Sequence, residues 1–162
     1  MTLLSFPNPV NEKAARSVAG GVLVLSLLAL VPHLTWLTLL IAIGFLLRVA
    51  AGPRFSPLGQ LATKVIAPRL GAARLVPGPP KRFAQAIGAT VTTAAAVAYL
   101  GFGNVLLANV LLALIVIAAG LESVLGLCLG CVIFGWLMRV GVISDEICQE
   151  CNTVGLRYSQ NG

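Results

Sequence analysis

Long apolar runs, broken at intervals by turn-forming residues, dominate the pattern of this chain. Residues 17–47, 83–121 and 123–138 contain no Asp, Glu, Lys or Arg. A membrane-spanning helix needs about 20 apolar residues, with a lower limit near 17. The first two runs are long enough for a helical hairpin, and each has a break at its middle, "VPHLT" at 31–35 and "GFGN" at 101–104. The pattern predicts four spans arranged as two hairpins.

The predicted spans cover residues 15–31, 34–50, 82–100 and 104–121. Between the second and third spans, "SPLGQLATKVIAP" offers Ser56 as an N-cap, Pro57 at the first helical position and Pro68 as a stop. Its apolar residues fall on one face. The stretch therefore predicts a helix over 57–67 that lies in the membrane interface.

Apolar sequence continues over residues 123–143 without a clear turn. A straight helix over 104–143 would be roughly 60 Å long, about twice the bilayer core, so the chain must bend. A turn at "GLES" would begin a fifth span and leave the tail, residues 144–162, outside. A break around Gly126 and Gly130 would instead make a re-entrant or interface-level segment and keep the tail inside. We favour the second arrangement, which places all the cysteines at one membrane surface.

Composition agrees with an all-α integral membrane protein whose membrane domain covers residues 1–143. The chain is 58% hydrophobic and 10% charged, whereas soluble domains are roughly 45–50% apolar and about 25% charged. The net charge of +6 comes largely from residues 48–82, which contain no acid. Cationic loops stay in the cytoplasm, so we expect this loop and the N-terminus to be cytoplasmic. The loop then predicts contact with anionic lipid and not with nucleic acid.

All the cysteines occur as two Cys-x-x-Cys pairs, Cys128 with Cys131 and Cys148 with Cys151. Within a helix, residues three apart share a face, so the thiols of one pair can approach each other or one metal ion. Structural zinc held by all four cysteines fits this spacing. Thiol/disulfide exchange or sulfur transfer uses the same spacing without a metal. Packing as small buried hydrophobic side chains is the third alternative.

Glu122 is a further candidate because it ends the uncharged run 83–121, six positions before Cys128. An acid at membrane depth is expensive and is usually functional, and this one could exchange protons with a thiol. The alternative is a carboxylate at the headgroup level. The chain has no Gly-rich phosphate loop, no histidine cluster and no Ser/His/Asp set, so nothing in it supports hydrolase or nucleotide chemistry.

Three segments, "GPRFSPLGQL" at 52–61, "PPKRFAQAIG" at 79–88 and "LESVLGLCLGCVIFGWLMR" at 121–139, resemble in that order the domain of unknown function 4395 family of small bacterial membrane proteins. The resemblance covers about residues 8–143, and the tail is similar to that of actinobacterial members. It implies a multi-pass protein of the bacterial plasma membrane. Relatives often lie beside thioredoxin-like or rhodanese-like sulfurtransferase domains, which implies thiol or sulfur chemistry by association.

Two hypotheses follow. In the first, the chain is a thiol/disulfide redox or sulfur-relay protein in which Cys128 and Cys131 form the active pair. Glu122 accepts protons, and a thioredoxin-like or rhodanese-like protein is the partner; no cofactor is needed. In the second, the chain is a non-catalytic subunit or assembly factor of a larger membrane complex, with zinc bound by Cys128, Cys131, Cys148 and Cys151.

Overall fold

The computed structural model describes residues 6–144 and residue 146. This part of the chain is mostly helical, with a pair of two-residue strands. The elements are β1 (Val10–Asn11), α1 (Glu12–Ala29), α2 (Leu37–Ala51), α3 (Pro57–Leu61), α4 (Ala67–Arg69), β2 (Leu75–Val76), α5 (Gly78–Leu100), α6 (Val105–Gly120) and α7 (Leu129–Arg139). A wide π-helical turn, Ala62–Ile66, joins α3 to α4, and a second, Leu121–Leu125, continues α6.

Three helical stretches are long and apolar enough to cross a membrane: Leu37–Arg69, Gly78–Leu100 and Val105–Leu125. The helix α1 is not among them because its first two turns contain Glu12, Lys13 and Arg16. The coarse expectation of a helical chain with membrane-type helices is therefore confirmed.

Local sequence explains where the helices begin. The side chain of Asn11 caps α1 by accepting a hydrogen bond of 3.0 Å from the Lys13 backbone. Helix α5 starts at Gly78, before the predicted position 82, because Pro79 and Pro80 occupy its first turn. Backbone N–H groups in that turn have no partner within the helix, so proline is tolerated there. The Pro-rich segment therefore forms the first turn of a long helix.

The connecting helix, residues 57–69, agrees only partly with its prediction. Ser56 caps it through its side-chain oxygen, but Pro68 does not stop it, since the helix continues to Arg69. The wide turn that precedes Pro68 relieves the clash between its ring and the carbonyl one turn back. The helix lies along α1, with Leu58 close to Gly21 and the Lys13 ammonium donating to the Leu70 carbonyl over 2.7 Å.

Two units repeat the same order of elements. Each unit contains a short strand, a helical hairpin and a short helix: β1, α1, α2 and α3–α4 in the first, and β2, α5, α6 and α7 in the second. Helix α1 packs on α6 as α5 packs on α2, and the strands pair antiparallel with Val10 opposite Val76. The contacts between the two units are therefore reciprocal in their pairing of elements.

Apolar side chains at the helix crossings form the core, with Val22 of α1, Phe45 of α2 and Leu112 of α6 among its buried members. The strand pair ties the start of α1 to the start of α5 at one end of the bundle. Arg16 adds a second tie at this end, because its guanidinium donates to the carbonyls of Ser123 (3.2 Å) and Val124 (3.0 Å). We call this end of the bundle the polar end.

Helix α7 is short and lies against α5. Its 11 residues correspond to about 16 Å. Gly130 sits directly on Ala84, and the rings of Phe134 and Phe83 are 5.6 Å apart. The turn before α7 is at Gly126, which has a φ of 70°, whereas the alternative turn "GLES" is helical.

Candidate functional site

Cys128 and Cys131 lie at the polar end, where the chain passes from α6 to α7. Gly126 reverses the chain in a left-handed conformation that favours glycine. Cys128 then acts as the N-cap of α7, and its Sγ accepts a hydrogen bond of 3.3 Å from the Cys131 backbone. The two sulfur atoms are in contact, and the Cα atoms are 5.2 Å apart, within the roughly 4.4–6.8 Å that a disulfide bridges. The structure thus brings the first predicted pair together.

The two sulfurs face different surroundings. Cys128 is 7% exposed, whereas Cys131 is partly exposed. On one side, both cysteines line an open cleft of about 430 Å³ together with Glu12, Pro80 and Lys81; we call it the outer cleft. On the other side, Cys128 alone lines a cavity of about 300 Å³ between the helices, which we call the inner cavity. The pair therefore stands between the outer cleft and the inner cavity.

Glu122 lies in the wide turn at the end of α6 and lines the inner cavity with Cys128. Its Oε1 pairs with the Lys81 ammonium over 2.6 Å, and the two side chains are only 16% and 10% exposed. Sequence reasoning selected Glu122 but missed Lys81, which looked like one cation of a basic loop. The carboxylate therefore shares the inner cavity with Cys128, and Lys81 shares the outer cleft with both cysteines.

Arg48 is a second residue that sequence reasoning missed. Its place at the end of α2 suggested a side chain reaching toward the headgroups, but it is 5% exposed. Its Nε donates to Gln85 (2.9 Å), its Nη1 donates to Ser56 (3.2 Å), and its Cζ lies 4.5 Å from the centre of the Phe45 ring.

The remaining nitrogen of Arg48, Nη2, is buried and has no acceptor among the residues that the structure describes. Glu122 attracts the guanidinium across the inner cavity. The signal that could have found this role is Glu122, the one acid between residues 13 and 144 of the sequence, since a buried cation needs a compensating charge.

The second cysteine pair, Cys148 and Cys151, lies outside the described residues. Over residues 6–144 and 146, no group of three or more His, Cys, Asp and Glu side chains could hold a metal ion. The four-cysteine zinc site needs both pairs, so it stays a prediction.

Comparison with known protein families identifies a match over most of the chain. The model of a family described as domain of unknown function (DUF4395) matches residues 10–139. A search of curated proteins and a search of solved structures found no match. The match includes the first cysteine pair, Glu122, Lys81 and Arg48.

Proposed function

The chain belongs to the DUF4395 family, and from that premise we propose that it is a membrane thiol/disulfide redox or sulfur-relay protein that acts through Cys128 and Cys131. One observation carries the proposal. The two sulfurs are in contact, and only Cys131 is partly exposed in the outer cleft while Cys128 is buried. This asymmetry suits a pair in which one sulfur meets a soluble partner and the other is the leaving group.

In the redox scheme, a thiolate of the partner attacks the Sγ of Cys131. The Cys128–Cys131 bond breaks and Cys128 leaves as a thiolate. A second partner thiol then attacks the mixed disulfide and releases Cys131, so the partner is oxidised and this chain is reduced. The Lys81 ammonium in the outer cleft favours the thiolates, and the Glu122 carboxylate is the proposed proton acceptor.

In the sulfur-relay scheme, the reduced pair accepts sulfur from a sulfurtransferase partner. The Cys131 thiolate attacks the outer sulfur of the partner's persulfide, and the partner leaves as a thiolate. Cys131 then carries the persulfide in the outer cleft. Both schemes begin with a reaction at Cys131, which is attacked as part of a disulfide in the redox scheme and attacks as a thiolate in the sulfur-relay scheme.

We further propose a four-span arrangement in the bacterial plasma membrane. In this arrangement α1 spans the membrane in addition to the three long apolar helices. The guanidinium of Arg16 is satisfied by two carbonyls, and α1 is uncharged after Arg16. Both hairpin tips face outward, and the polar end, with the N-terminus and the 48–82 loop, is cytoplasmic. Helix α7, at about 16 Å, is too short for a core of about 30 Å and lies at the cytoplasmic surface.

Contact with anionic lipid is proposed for the connecting helix. Arg54, Lys64 and Arg69 are exposed, and so are the apolar side chains of Leu61 and Val65. Cations beside exposed apolar groups suit the headgroup region. Arg48 and Lys81, which the sequence placed in the same basic loop, are buried and cannot take part in this contact.

Trapping of the mixed disulfide tests the redox proposal. The probe is a thioredoxin-like protein that keeps only its attacking cysteine. The probe carries this cysteine as a mixed disulfide with thionitrobenzoate. The Cys131 thiolate of the Cys128→Ser chain displaces thionitrobenzoate, and because Cys128 is absent to resolve the product, we expect a stable adduct to accumulate. Cys131→Ser should form none, because Cys128 is buried. Cys148→Ser combined with Cys151→Ser is the control for the tail and should leave trapping by the Cys128→Ser chain unchanged.

Intact mass of the wild-type protein separates redox from zinc. A denatured mass lighter by two hydrogen atoms, restored on reduction, supports a disulfide. A native mass heavier by one zinc ion, with every thiol open to alkylation after denaturation, supports the structural subunit instead. Absence of an adduct in both single variants, with Cys128 and Cys131 always reduced in the purified protein, would contradict the redox proposal.

A further inference from the structure

The inner cavity is apolar except at one side. Its walls come from α1, α2, α5, α6 and α7, and most of the lining is aliphatic. The polar side chains that line it are Arg48, Gln85, Glu122 and that of Cys128. Leu114 and Ile117 of α6 line it too and are exposed on the surface of the bundle. A ligand can therefore enter from the apolar surface of the protein and bring its polar part against the charged residues.

The buried guanidinium indicates what that polar part must be. The Nη2 of Arg48 carries N–H donors with no acceptor among the described residues, and a buried donor without a partner is costly. Arg48 is held in place by Gln85 and Ser56, so the free nitrogen is already positioned. A carbonyl oxygen on a largely apolar molecule satisfies the donor without bringing a strongly hydrated anion into the cavity.

The presence of Cys128 in the wall of the inner cavity indicates that the ligand is an oxidant of the dithiol. Cys128 and Arg48, the residue with the unpartnered nitrogen, both line this cavity. A dithiol that has been reduced by a partner must pass on two electrons before it can react again. A lipid-soluble acceptor of two electrons with carbonyl oxygens on an apolar ring is a quinone. The volume, about 300 Å³, lies at the lower end of the usual range for small-molecule sites.

We infer that the inner cavity binds the ring of a lipid-soluble quinone, which reoxidises the Cys128–Cys131 dithiol. This inference rests on the proposed redox function and names the oxidant for it. Arg48 Nη2 donates to one quinone carbonyl, the tail leaves past Leu114 and Ile117, and the ring faces Cys128. Electrons then pass from the outer cleft to the inner cavity through the cysteine pair.

The reaction balances without a further reagent. The Cys128 thiolate adds to a ring carbon of the quinone. The Cys131 thiolate then attacks the Cys128 Sγ, and the carbon–sulfur bond breaks with its electron pair remaining on the ring. The ring takes up the two protons that the thiols released and leaves as a quinol. One dithiol is oxidised to a disulfide and one quinone is reduced.

Anaerobic quinone reduction by the full chain in phospholipid nanodiscs tests the inference. The probe is decylubiquinone, whose fully substituted ring resists direct substitution by thiols. The protein is reduced, freed of reductant and mixed with the probe; quinol absorbance and thiol alkylation are then followed. We expect one quinol for each disulfide formed between Cys128 and Cys131. Oxidation of the pair without quinol, or quinol formed equally by a Cys128→Ser chain, overturns the inference.

Two variants locate the site, each with a matched control. Ala118→Trp fills the cavity from α6, while Ala113→Trp adds the same ring on an exposed position of the same helix. Arg48→Met removes the proposed donor, while Arg54→Met removes an exposed cation. Arg48→Met should raise the half-saturating quinone concentration by about tenfold or more, since a hydrogen bond from a charged group contributes that much. Ala118→Trp should raise it by a similar factor because the indole ring occupies the space of the quinone ring. The controls should leave it unchanged, and equal effects in variants and controls overturn the inference.

The result also separates the inference from the proposed function. If a thioredoxin-like disulfide oxidises the reduced pair but decylubiquinone does not, the redox function stands and the quinone site is wrong. If neither reacts, the redox function fails, and photolabelling by an azidoquinone shows whether the cavity is still a quinone site. Labelling confined to cavity residues supports the site. Labelling elsewhere, or a phospholipid retained in native mass spectra and displaced by Ala118→Trp, overturns it.

Discussion

At the scale of single residues, buried ionisable side chains distinguish this molecule from an inert bundle of apolar helices. Arg48, Lys81 and Glu122 are shielded from solvent, and each lines a cavity that Cys128 also lines. Charged groups at such depth are expensive and persist where they are paired or functional. Glu122 is central to this group because it pairs with Lys81 and also attracts Arg48.

We expect Glu122→Gln to destabilise the protein by about 3 kcal/mol, because it leaves the Lys81 ammonium nearly buried without its partner. Thermal unfolding of the full chain in detergent measures the effect. The double exchange Lys81→Glu with Glu122→Lys should recover part of the loss, since it restores opposite charges at the two positions. Recovery is incomplete because the cation at position 122 now repels Arg48. No recovery in the double variant would show that the carboxylate acts through something other than this pair.

The pair between Glu12 and Arg74 provides the control. Its two charges are 2.9 Å apart, but the Arg74 side chain is 69% exposed. Exposed ion pairs contribute little, so Arg74→Gln should cost about 1 kcal/mol or less. A loss as large as that of Glu122→Gln would mean that burial does not govern these interactions.

At the scale of elements, helix α7 positions the cysteines through close contact with α5. Gly130 follows Cys128 by two residues and has no room for a Cβ, because Ala84 of α5 occupies that space. Gly135, on the same helix, has nothing within 4 Å of the position of its missing Cβ. The two glycines therefore have different roles in one helix.

We expect Gly130→Ala to lower the stability by about 2 kcal/mol, because the added methyl forces α7 away from α5. The displacement should also open Cys128 to alkylating reagents in the reduced protein. Unfolding in detergent and the alkylation rate of Cys128 are the measurements. Gly135→Ala is the matched control and should leave Cys128 protected, with stability unchanged or slightly higher because alanine favours helix. Equal behaviour of the two variants would contradict this account of α7.

At the scale of the whole molecule, residues at corresponding positions of the two units make similar contacts, although some of them differ in chemical type. Arg16 of α1 binds carbonyls at the end of α6, and Arg82 of α5 binds the Val49 carbonyl at the end of α2 over 3.1 Å. Ser56 and Cys128 each cap the short helix of their unit. The arrangement gathers both helix starts, both short helices and the cysteine pair at the polar end.

Labelling of single cysteines in a chain whose own cysteines are replaced by serine tests how this end is oriented. We expect His33→Cys and Phe102→Cys, at the two hairpin tips, to react with a membrane-impermeant maleimide in intact cells. Ala73→Cys, in the loop at the polar end, should react only after permeabilisation, because cationic loops remain in the cytoplasm. The reverse pattern would place the cysteine pair on the outer surface.

Local pattern was sufficient for the helical class, the two hairpin breaks and the cap at Ser56, because apolar runs, caps and glycine turns act over a few residues. Of the two glycines expected at the break after α6, Gly126 forms the turn, whereas Gly130 lies inside α7. Local pattern also predicted that Cys128 and Cys131 lie close together, because residues three positions apart are neighbours on one face of a helix. The predicted end of the connecting helix at Pro68 was wrong. The wide turn before Pro68 makes room for the proline ring, so the helix continues to Arg69.

Only the tertiary structure decided which cations are buried. Nothing local distinguishes Arg48 and Lys81 from the exposed Arg54 and Arg69, because burial depends on residues far along the chain. Lys81 meets Glu122 and Arg48 meets Gln85 across helix contacts. The inner cavity, likewise, exists only where five helices meet. Sequence therefore determined most of the elements and the cysteine pair, because these depend on residues near one another in the chain. Packing between the two units determined which charged side chains surround that pair.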